Sequence, residues 1–434
     1  MLLLHVSDIH FRAPECAQDN DPNRAYRTRM VQDARARARA LGPVNAILVG
    51  GDIAYRGAHT EYEAAFAWLA ELARECGCSL ERIYVVPGNH DVDRSLISGS
   101  RQVRNIHKAI KDASPGARRG ELQAQLSEVA TGRALFEPLA AYNTFAARFN
   151  CQVYPERIAW KQDIDLAGGL TLRLHGFTST LLSGAVNGHS QDDQPRDLYL
   201  SPWQTGLLDP ATDTVNLVMS HHPPDWLMDQ DEVEDAINGR AAIHLFGHKH
   251  RQRLLRDHQF IRFDAGAINP DPNELGWHPC YNLIQLEVNG EGANRELRIA
   301  VHQLEWQTNP ERYRARLDLN GGEVFHHVIR CPADEAPSIL TLAGRAIAVP
   351  APAPDPPPPD VEAAMGEQST RNLVIRWWDL PMATRRDIAL RLGLISQEEV
   401  SLPEPERYGR ALFRAKERNQ LQELSEEIDK WQTQ

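Results

Sequence analysis

The chain has 434 residues and a mass of 48.8 kDa, room for two or three domains at roughly 150 residues each. Hydrophobic residues make up 42% and charged residues 24%, which excludes global disorder, a collagen-like repeat and a small disulfide scaffold. Lys+Arg 47 against Asp+Glu 59 leaves a formal net charge of −12. That balance opposes nonspecific wrapping of nucleic acid, but it leaves room for a nuclease whose metal ions bring their own positive charge.

No run reaches the ~18 consecutive apolar residues of a membrane span. The segment from Met1 to His10 lacks the basic, apolar and small-residue regions of a secretory signal. The six cysteines (Cys16, Cys76, Cys78, Cys151, Cys280, Cys331) include no CxxC pair. A cytoplasmic protein with reduced, structural thiols and no membrane contact is expected.

In chain order, apolar runs at residues 2–6, 44–49, 83–86, 215–219 and 243–246 read as buried strands. Residues 61–76 carry Tyr62, Phe66, Leu69 and Leu72 near helical spacing. Strands alternating with helices indicate an α/β layered fold. Residues 95–150 have segments of helical periodicity, broken at Ser114-Pro115-Gly116, read as a helical insertion standing off the sheet. Arg94, Arg101, Arg104, Lys108, Lys111, Arg118 and Arg119 make its first half basic. They form either a solvated helix face or a lid that meets a polyanionic substrate. Extended runs return at 281–330, with Asn289-Gly290 as a hairpin cue. Seven prolines then fall within Pro350–Pro359, a stiff spacer of roughly 30 Å at ~3.1 Å per residue. Helical pattern resumes over 368–434. The organisation expected is therefore a domain at 1–335 with its insertion near 95–150, a Pro-rich linker at 346–367, and a small helical domain at 368–434.

Each of the five apolar runs leads directly into residues of metal-ligand type. They are Asp8 and His10; Gly51-Asp52; Gly88-Asn89-His90-Asp91; His221-His222-Pro223-Pro224; and Gly247-His248-Lys249-His250. In open α/β sheets ligands gather beyond the carboxyl ends of the strands, so five such ends can converge on one crevice. Any one of these motifs is commonplace. Five in order are not.

The ordered set Asp-x-His, Gly-Asp, Gly-Asn-His-Asp, His-His-Pro-Pro and Gly-His-x-His resembles the calcineurin-like metallophosphoesterase superfamily, over residues 1 to about 270. The resemblance implies a four-layer α/β/β/α sandwich with a dinuclear metal centre. Carried over by position, Asp8, His10 and His250 would hold one metal, Asn89, His221 and His248 the other, and Asp52 would bridge both. His221 is favoured over His222 because the family pattern is His-x-Pro. His90 resembles the family's non-ligand histidine, which contacts phosphate and can protonate the leaving oxygen; Asp91 could orient and charge-stabilise it. The mixed oxygen and imidazole set suits two divalent transition metal ions, Mn²⁺ first, then Fe²⁺ or Zn²⁺. Such a pair would polarise a phosphodiester and generate a bridging hydroxide for in-line attack.

The remaining histidines read more plainly. His5 and His244 sit within strands as core residues, and His107, His189, His326 and His327 read as surface or loop residues. His175 ends an apolar segment and could shape the pocket.

The His-His-Pro-Pro and Gly-His-x-His spacing looks most like the branch containing cyclic-nucleotide phosphodiesterases, which makes a cyclic or related nucleotide the first-choice substrate. His221 follows Asp91 by 130 positions, longer than in compact members, so a DNA or RNA nuclease is the alternative. Residues 368–434, with Trp377-Trp378-Asp379-Leu380-Pro381, resemble effector-associated or death-like adaptor modules of bacterial conflict systems. That implies a protein partner, or self-association, and an effector recruited through the tail, for instance in anti-phage defence. A plain packing or dimerisation domain is the other reading, and a non-enzymatic adaptor the third for the whole chain. From Gly366 onward there are 11 basic and 12 acidic residues, so nucleic-acid binding by the tail is not expected.

Overall fold

A computed structural model describes residues 1–185, 190–209, 211–269 and 278–332, then 373, 376, 377, 380, 382–395, 404–418 and 420–432. The chain divides into two compact units, Met1–Leu340 and Thr341–Gln434. The expected linker at 346–367, with its prolines, lies outside the described residues, as do His189, Trp378, Asp379 and Pro381.

The first unit contains two mixed sheets. The strands are β1 (Leu2–Val6), β2 (Ala46–Val49), β3 (Ile83–Val85), β4 (Ala159–Leu166), β5 (Leu170–Phe177), β6 (Thr214–Ser220) and β7 (Ile243–Phe246). They continue with β8 (Arg253–Arg256), β9 (Ile261–Asp264), β10 (Cys280–Asn289), β11 (Glu296–Thr308), β12 (Glu311–Ala315) and β13 (Phe325–Arg330). One sheet runs β12-β11-β10-β1-β2-β3, with β13 also paired to β11; the other runs β4-β5-β6-β7-β9-β8. Strands β1, β2 and β3 are parallel, as are β5, β6, β7 and β9. Every residue of β1, β2, β6 and β7 is buried, which is why these strands are mostly apolar: parallel strands are covered on both faces.

Helices α1 (Arg24–Leu41) and α2 (His59–Cys76) complete the layers, packing on each other and sharing the hydrophobic core of the sheets. Helix α2 buries Tyr62, Ala65, Leu69, Leu72, Ala73 and Cys76 along one stripe. It stops at Gly77, whose φ of +72° closes the last turn in the left-handed region.

Residues 94–149 are helical, as expected. They comprise α3 (Arg94–Gly99), α4 (Arg101–Asp112), α5 (Pro115–Ser127), α6 (Val129–Phe136) and α7 (Ala140–Ala146), ending in a short 3₁₀ turn. They do not stand off the sheet. Ile97, Val103, Ile106, Leu122, Leu135, Tyr142 and Phe149 belong to the same buried cluster as the strands. The Tyr142 hydroxyl donates to the Val85 carbonyl at 3.1 Å, which also accepts from Trp160 Nε1 at 3.0 Å. Apolar positions at helical spacing had to be covered, and the core was the available cover. His107, expected at the surface, is buried on α4 with Val103, Ile106 and Ile110.

The basic residues of this insertion are largely engaged within the fold. Arg94 pairs with Asp192 at 3.2 Å, Lys108 with Asp112 and Lys111 with Asp197 at 2.5 Å each. Arg118 is buried and donates to the Ala113 carbonyl at 3.1 Å, and Arg104 donates to the Ser98 carbonyl. These contacts fit the helix-face reading better than the lid.

All six cysteines are free thiols, and burial pushes Cys76, Cys151 and Cys280 up to about 12. No helix among the described residues is long and apolar enough to cross a membrane.

The second unit has helices at Met382–Arg391, Glu404–Glu417 and Leu421–Gln432. They enclose a core of Leu373, Trp377, Leu380, Ile388, Leu394, Tyr408, Ala411, Leu424 and Ile428. The buried Arg385 guanidinium donates to the carbonyls of Trp377 at 3.0 Å and Leu380 at 2.7 Å, tying the segment before the first of these helices onto it. Trp377 is fully buried, so Trp377→Ala is expected to cost this unit about 3–5 kcal/mol. Limited proteolysis of the full-length variant checks it: new cleavage should fall within residues 373–432 while residues 1–332 stay protected.

Candidate metal centre

The carboxyl ends of β1, β2, β3, β6 and β7 deliver the predicted ligand residues and His90 to one place. The loops after β1 and β2 run side by side: Asp8 N–H donates to the Gly51 carbonyl, His10 N–H to that of Asp52, and Phe11 N–H to that of Ile53. The loop after β7 is joined to that after β6 by Gly247 N–H on the His221 carbonyl at 2.9 Å. Backbone pairing, rather than side-chain reach, sets the spacing of the site.

The backbone there is strained. Asp8, His10, Asp52, His248 and His250 have φ between 49° and 68°, five of the eight non-glycine residues with positive φ among those described. L-residues avoid this region, and such outliers cluster where function over-determines the geometry. Two glycines make room for them. A Cβ on Gly88 would overlap the Asp52 carboxylate, and one on Gly51 (φ +97°) would lie 2.6 Å from His221 Nδ1.

Donor atoms crowd one another across the centre. His250 Nε2 lies 3.2 Å from Asp8 Oδ1 and 3.4 Å from His10 Nε2. Asp52 Oδ2 is 3.8 Å from His10 Nε2 and 3.3 Å from His221 Nε2. Asn89 Oδ1 is 3.1 Å from His221 Nε2 and 2.9 Å from His248 Nδ1. Donors bound to a common ion at ~2.0–2.2 Å stand roughly 3.0–3.5 Å apart, and the set matches that spacing. Asp8 with His10 and His250, and Asp8 with Asp52 and His221, each form a group able to hold an ion.

The electrostatics suit cations. Burial pulls the Asp8 carboxyl upward, but the hydrogen bond and charge of His250, with the charge of His221, outweigh it and hold it at about 2. Burial likewise raises Asp52, and His221, His90 and His10 overcome it, leaving Asp52 well below the usual range. Burial lowers His10 and His248 to about 3, keeping both imidazoles neutral with lone pairs available. For His221 burial is again the largest influence, a lowering one, but the Asp52 carboxylate reverses it and raises the imidazole to about 9.

His221 Nδ1–H donates to the Gly50 carbonyl at 2.8 Å, which turns its Nε2 toward Asn89 and Asp52. His222 is equally buried; its Nδ1 pairs with Ser179 Oγ at 2.8 Å, while its ring packs 4.5 Å from that of His248 and it groups with His221 and His248 as a further set able to hold an ion.

His90 is only half-buried. Its backbone N–H donates to Asp52 Oδ1 at 2.8 Å and its Nδ1–H to the Tyr55 carbonyl at 2.9 Å. Nε2 is then the ring atom left to carry an exchangeable proton. Asp91 does not orient this ring, contrary to the sequence expectation. Its buried carboxylate accepts from Gly88 N–H (2.8 Å), Ala54 N–H (2.9 Å), Ile53 N–H (3.2 Å) and Tyr62 O–H (3.0 Å). Neighbours in sequence point apart here, and Asp91 clasps the β2 and β3 loops instead. Burial, then the charge of Asp52, pushes Asp91 up to about 7 against those backbone donors.

Sequence reasoning missed Glu61. Fully buried on the first turn of α2, it accepts Ala13 N–H at 3.0 Å, Tyr55 N–H at 3.2 Å, Arg56 N–H at 2.9 Å and Ala58 N–H at 3.1 Å. One carboxylate thus ties the β1 loop to the β2 loop. A Glu at the third position of a helix is the visible signal, because it can reach back to the N-cap N–H.

His5 and His244 are core residues as read: His5 Nδ1 accepts from Asn282 and His244 Nε2–H donates to the Ala241 carbonyl. His175 does not shape the centre; its Nε2–H donates to Asn216 within the second sheet.

Parallel strands of two sheets ending on one cluster of carboxylates and imidazoles define a metallophosphoesterase-type domain. Within that class the chain belongs to the calcineurin-like phosphoesterases, whose family model matches residues 1–252. Residues 369–430 match the GTPase-associated adaptor domain, so the tail is similar to an adaptor module. Among solved structures, Vps29 of Chaetomium thermophilum aligns at 12% identity and TM-score 0.30 over 76% of this chain and 99% of its own. A Streptococcus pneumoniae protein described as a predicted phosphoesterase aligns at 12% and 0.28, over 75% and 97%. GAP50 of Plasmodium aligns at 9% and 0.36, over 76% and 89%. No curated protein matches the chain. The family implies divalent metal binding, and the donor set fits it.

Proposed function

We propose that this chain is a metal-dependent phosphodiesterase. Asp8, His10 and His250 would hold one divalent ion, Asn89, His221 and His248 a second, and Asp52 would serve both. The observation that carries the reading is the crowding of carboxylate, carboxamide and imidazole donors from five strand ends, above all His250 Nε2 at 3.2 Å from Asp8 Oδ1 and 3.4 Å from His10 Nε2. Oxygen and imidazole ligands together favour Mn²⁺, with Fe²⁺ or Zn²⁺ next. Two such ions would supply Lewis acidity toward the phosphoryl oxygens and toward water.

The chain's own residues supply the rest. The half-buried rings of His10, His90, His248 and His250 form the open side of the centre, while Asp8, Asp52 and His221 lie beneath. His90, pinned through Nδ1 by the Tyr55 carbonyl, presents Nε2 as the proton donor to the departing oxygen. Asp91 and Glu61 position the loops and touch no reacting atom. The substrate is a nucleotide-type phosphodiester, a cyclic nucleotide first and a DNA or RNA strand second. The tail, by its likeness to an adaptor domain, would bring a protein partner or a second copy, in a cytoplasmic setting.

The test is Mn²⁺-dependent hydrolysis of bis(p-nitrophenyl) phosphate, a cyclic-nucleotide panel and single-stranded DNA and RNA. Turnover abolished by a chelator and restored by Mn²⁺ supports the reading; silence on every substrate with two metals bound overturns it. His90→Ala should lower kcat about 10²–10⁴-fold on substrates with alkoxide leaving groups. The loss should be much smaller with p-nitrophenolate, which departs without a proton. Equal losses on both would remove His90 from the acid role.

A further inference from the structure

Of the seven basic residues in the insertion's first half, Arg94, Arg104, Lys108, Lys111 and Arg118 are paired within the fold, and Arg101 and Arg119 are exposed. Two arginines that no motif marked stand beside the centre. Tyr55 stacks on His90, ring centroids 4.9 Å apart and planes 29° apart, and meets His10 edge-on at 5.9 Å. It is thus the rim of the open side. The Arg12 guanidinium lies 3.7 Å over the Tyr55 ring, and that of Arg56 lies 5.9 Å from it. Both arginines are exposed, and among the described residues neither guanidinium has a hydrogen-bonded or ion-paired partner.

This arrangement is poised for an anion. A guanidinium held by its flat face on an aromatic ring keeps its N–H fork directed outward, and that fork matches two phosphate oxygens. Loop anchoring adds preorganisation, because Glu61 accepts the backbone N–H of both Tyr55 and Arg56. Opposed carboxylates would quench such a site. The nearest buried ones, Asp52, Asp91 and Glu61, are all turned inward to ring or backbone donors.

We infer that Arg12, Tyr55 and Arg56 form a second-phosphate subsite beside the metal centre. It takes a phosphate group other than the one being cleaved. The inference rests on the phosphodiesterase reading but reverses its order of substrates, placing those with at least two phosphates ahead of 3′,5′-cyclic monophosphates. The second phosphate can be the next one along a nucleic-acid strand or the distal one of a diphosphate-linked nucleotide.

The experiment uses the full-length Mn²⁺-loaded protein and three substrates: bis(p-nitrophenyl) phosphate, a ten-nucleotide single-stranded DNA, and a dinucleoside diphosphate. The Arg12→Ala/Arg56→Ala double variant should lower kcat/KM for one or both two-phosphate substrates about 10- to 100-fold more than for the aryl diester, as expected for lost charged hydrogen bonds. A loss confined to the DNA assigns the strand; one confined to the dinucleotide assigns the diphosphate. With DNA, the salt dependence of log(kcat/KM) should become shallower by about 0.7 per lost phosphate contact. Arg12→Lys/Arg56→Lys, which keeps charge without the fork, should fall between. Equal losses on all three substrates, or none, overturn the subsite. Should the wild type turn over nothing, the phosphodiesterase reading fails separately. Fluorescence anisotropy of the labelled DNA then decides the subsite, with unchanged affinity in the double variant overturning it.

Discussion

Asp52→Asn is expected to abolish metal-dependent turnover. Asp52 Oδ2 faces both His221 at 3.3 Å and His10 at 3.8 Å, one residue from each proposed ion's set. Replacing a carboxylate oxygen by an amide nitrogen puts N–H donors where two cations would bind. Lewis-acid stabilisation amounts to several kcal/mol, so kcat should fall about 10³-fold or more. The fold should survive, because an amide of the same shape can still accept the His90 backbone N–H now held by Asp52 Oδ1 at 2.8 Å. Metal content by plasma mass spectrometry and far-UV circular dichroism separate the two effects. A variant that binds two metals and turns over at the wild-type rate would falsify the bridging role.

Glu61→Ala is expected to be the most destabilising single change near the site. It removes the acceptor from the N–H groups of Ala13, Arg56 and Ala58 in two loops, while Tyr55 N–H keeps the Phe11 carbonyl at 3.0 Å. An unpaired buried donor costs about 1–3 kcal/mol, so a total of ~3 kcal/mol is expected after partial relaxation. Urea denaturation of the full chain reads it directly. Metal affinity should drop about 10- to 100-fold as well, as when the outer partners of metal ligands are lost, because the β1 and β2 loops carry His10 and Asp52. Glu61→Gln keeps one acceptor oxygen and turns an NH₂ toward N–H groups; it should retain about half of the stability contribution. Wild-type stability in Glu61→Ala would show that the loops hold each other without it.

Much of the fold was legible because each of the central strands is buried on both faces and therefore mostly apolar. The candidate site was legible for a related reason: each ligand type sits within a few residues of such a strand, and parallel strands side by side bring their ends together. Asp91 shows the limit of adjacency. It follows His90 directly, yet the tight turn after β3 sends one side chain to the open face and the other into the core. Tyr55 and the Arg12 and Arg56 pair carried no motif at all, and Glu61 only the sign of a helix start. They matter only through contacts with loops far away in the chain.

By itself the sequence determined the family, the ordered ligand types and the presence of a separate helical tail, since these follow from local pattern and residue chemistry. Only the tertiary structure decided which donors face each other, that His221 rather than His222 turns to Asn89 and Asp52, and that the insertion packs into the core. It also decided which cations remain unpaired beside the centre. Those properties depend on backbone pairing between loops and on competition for buried partners, and neither has a period or a spacing along the chain.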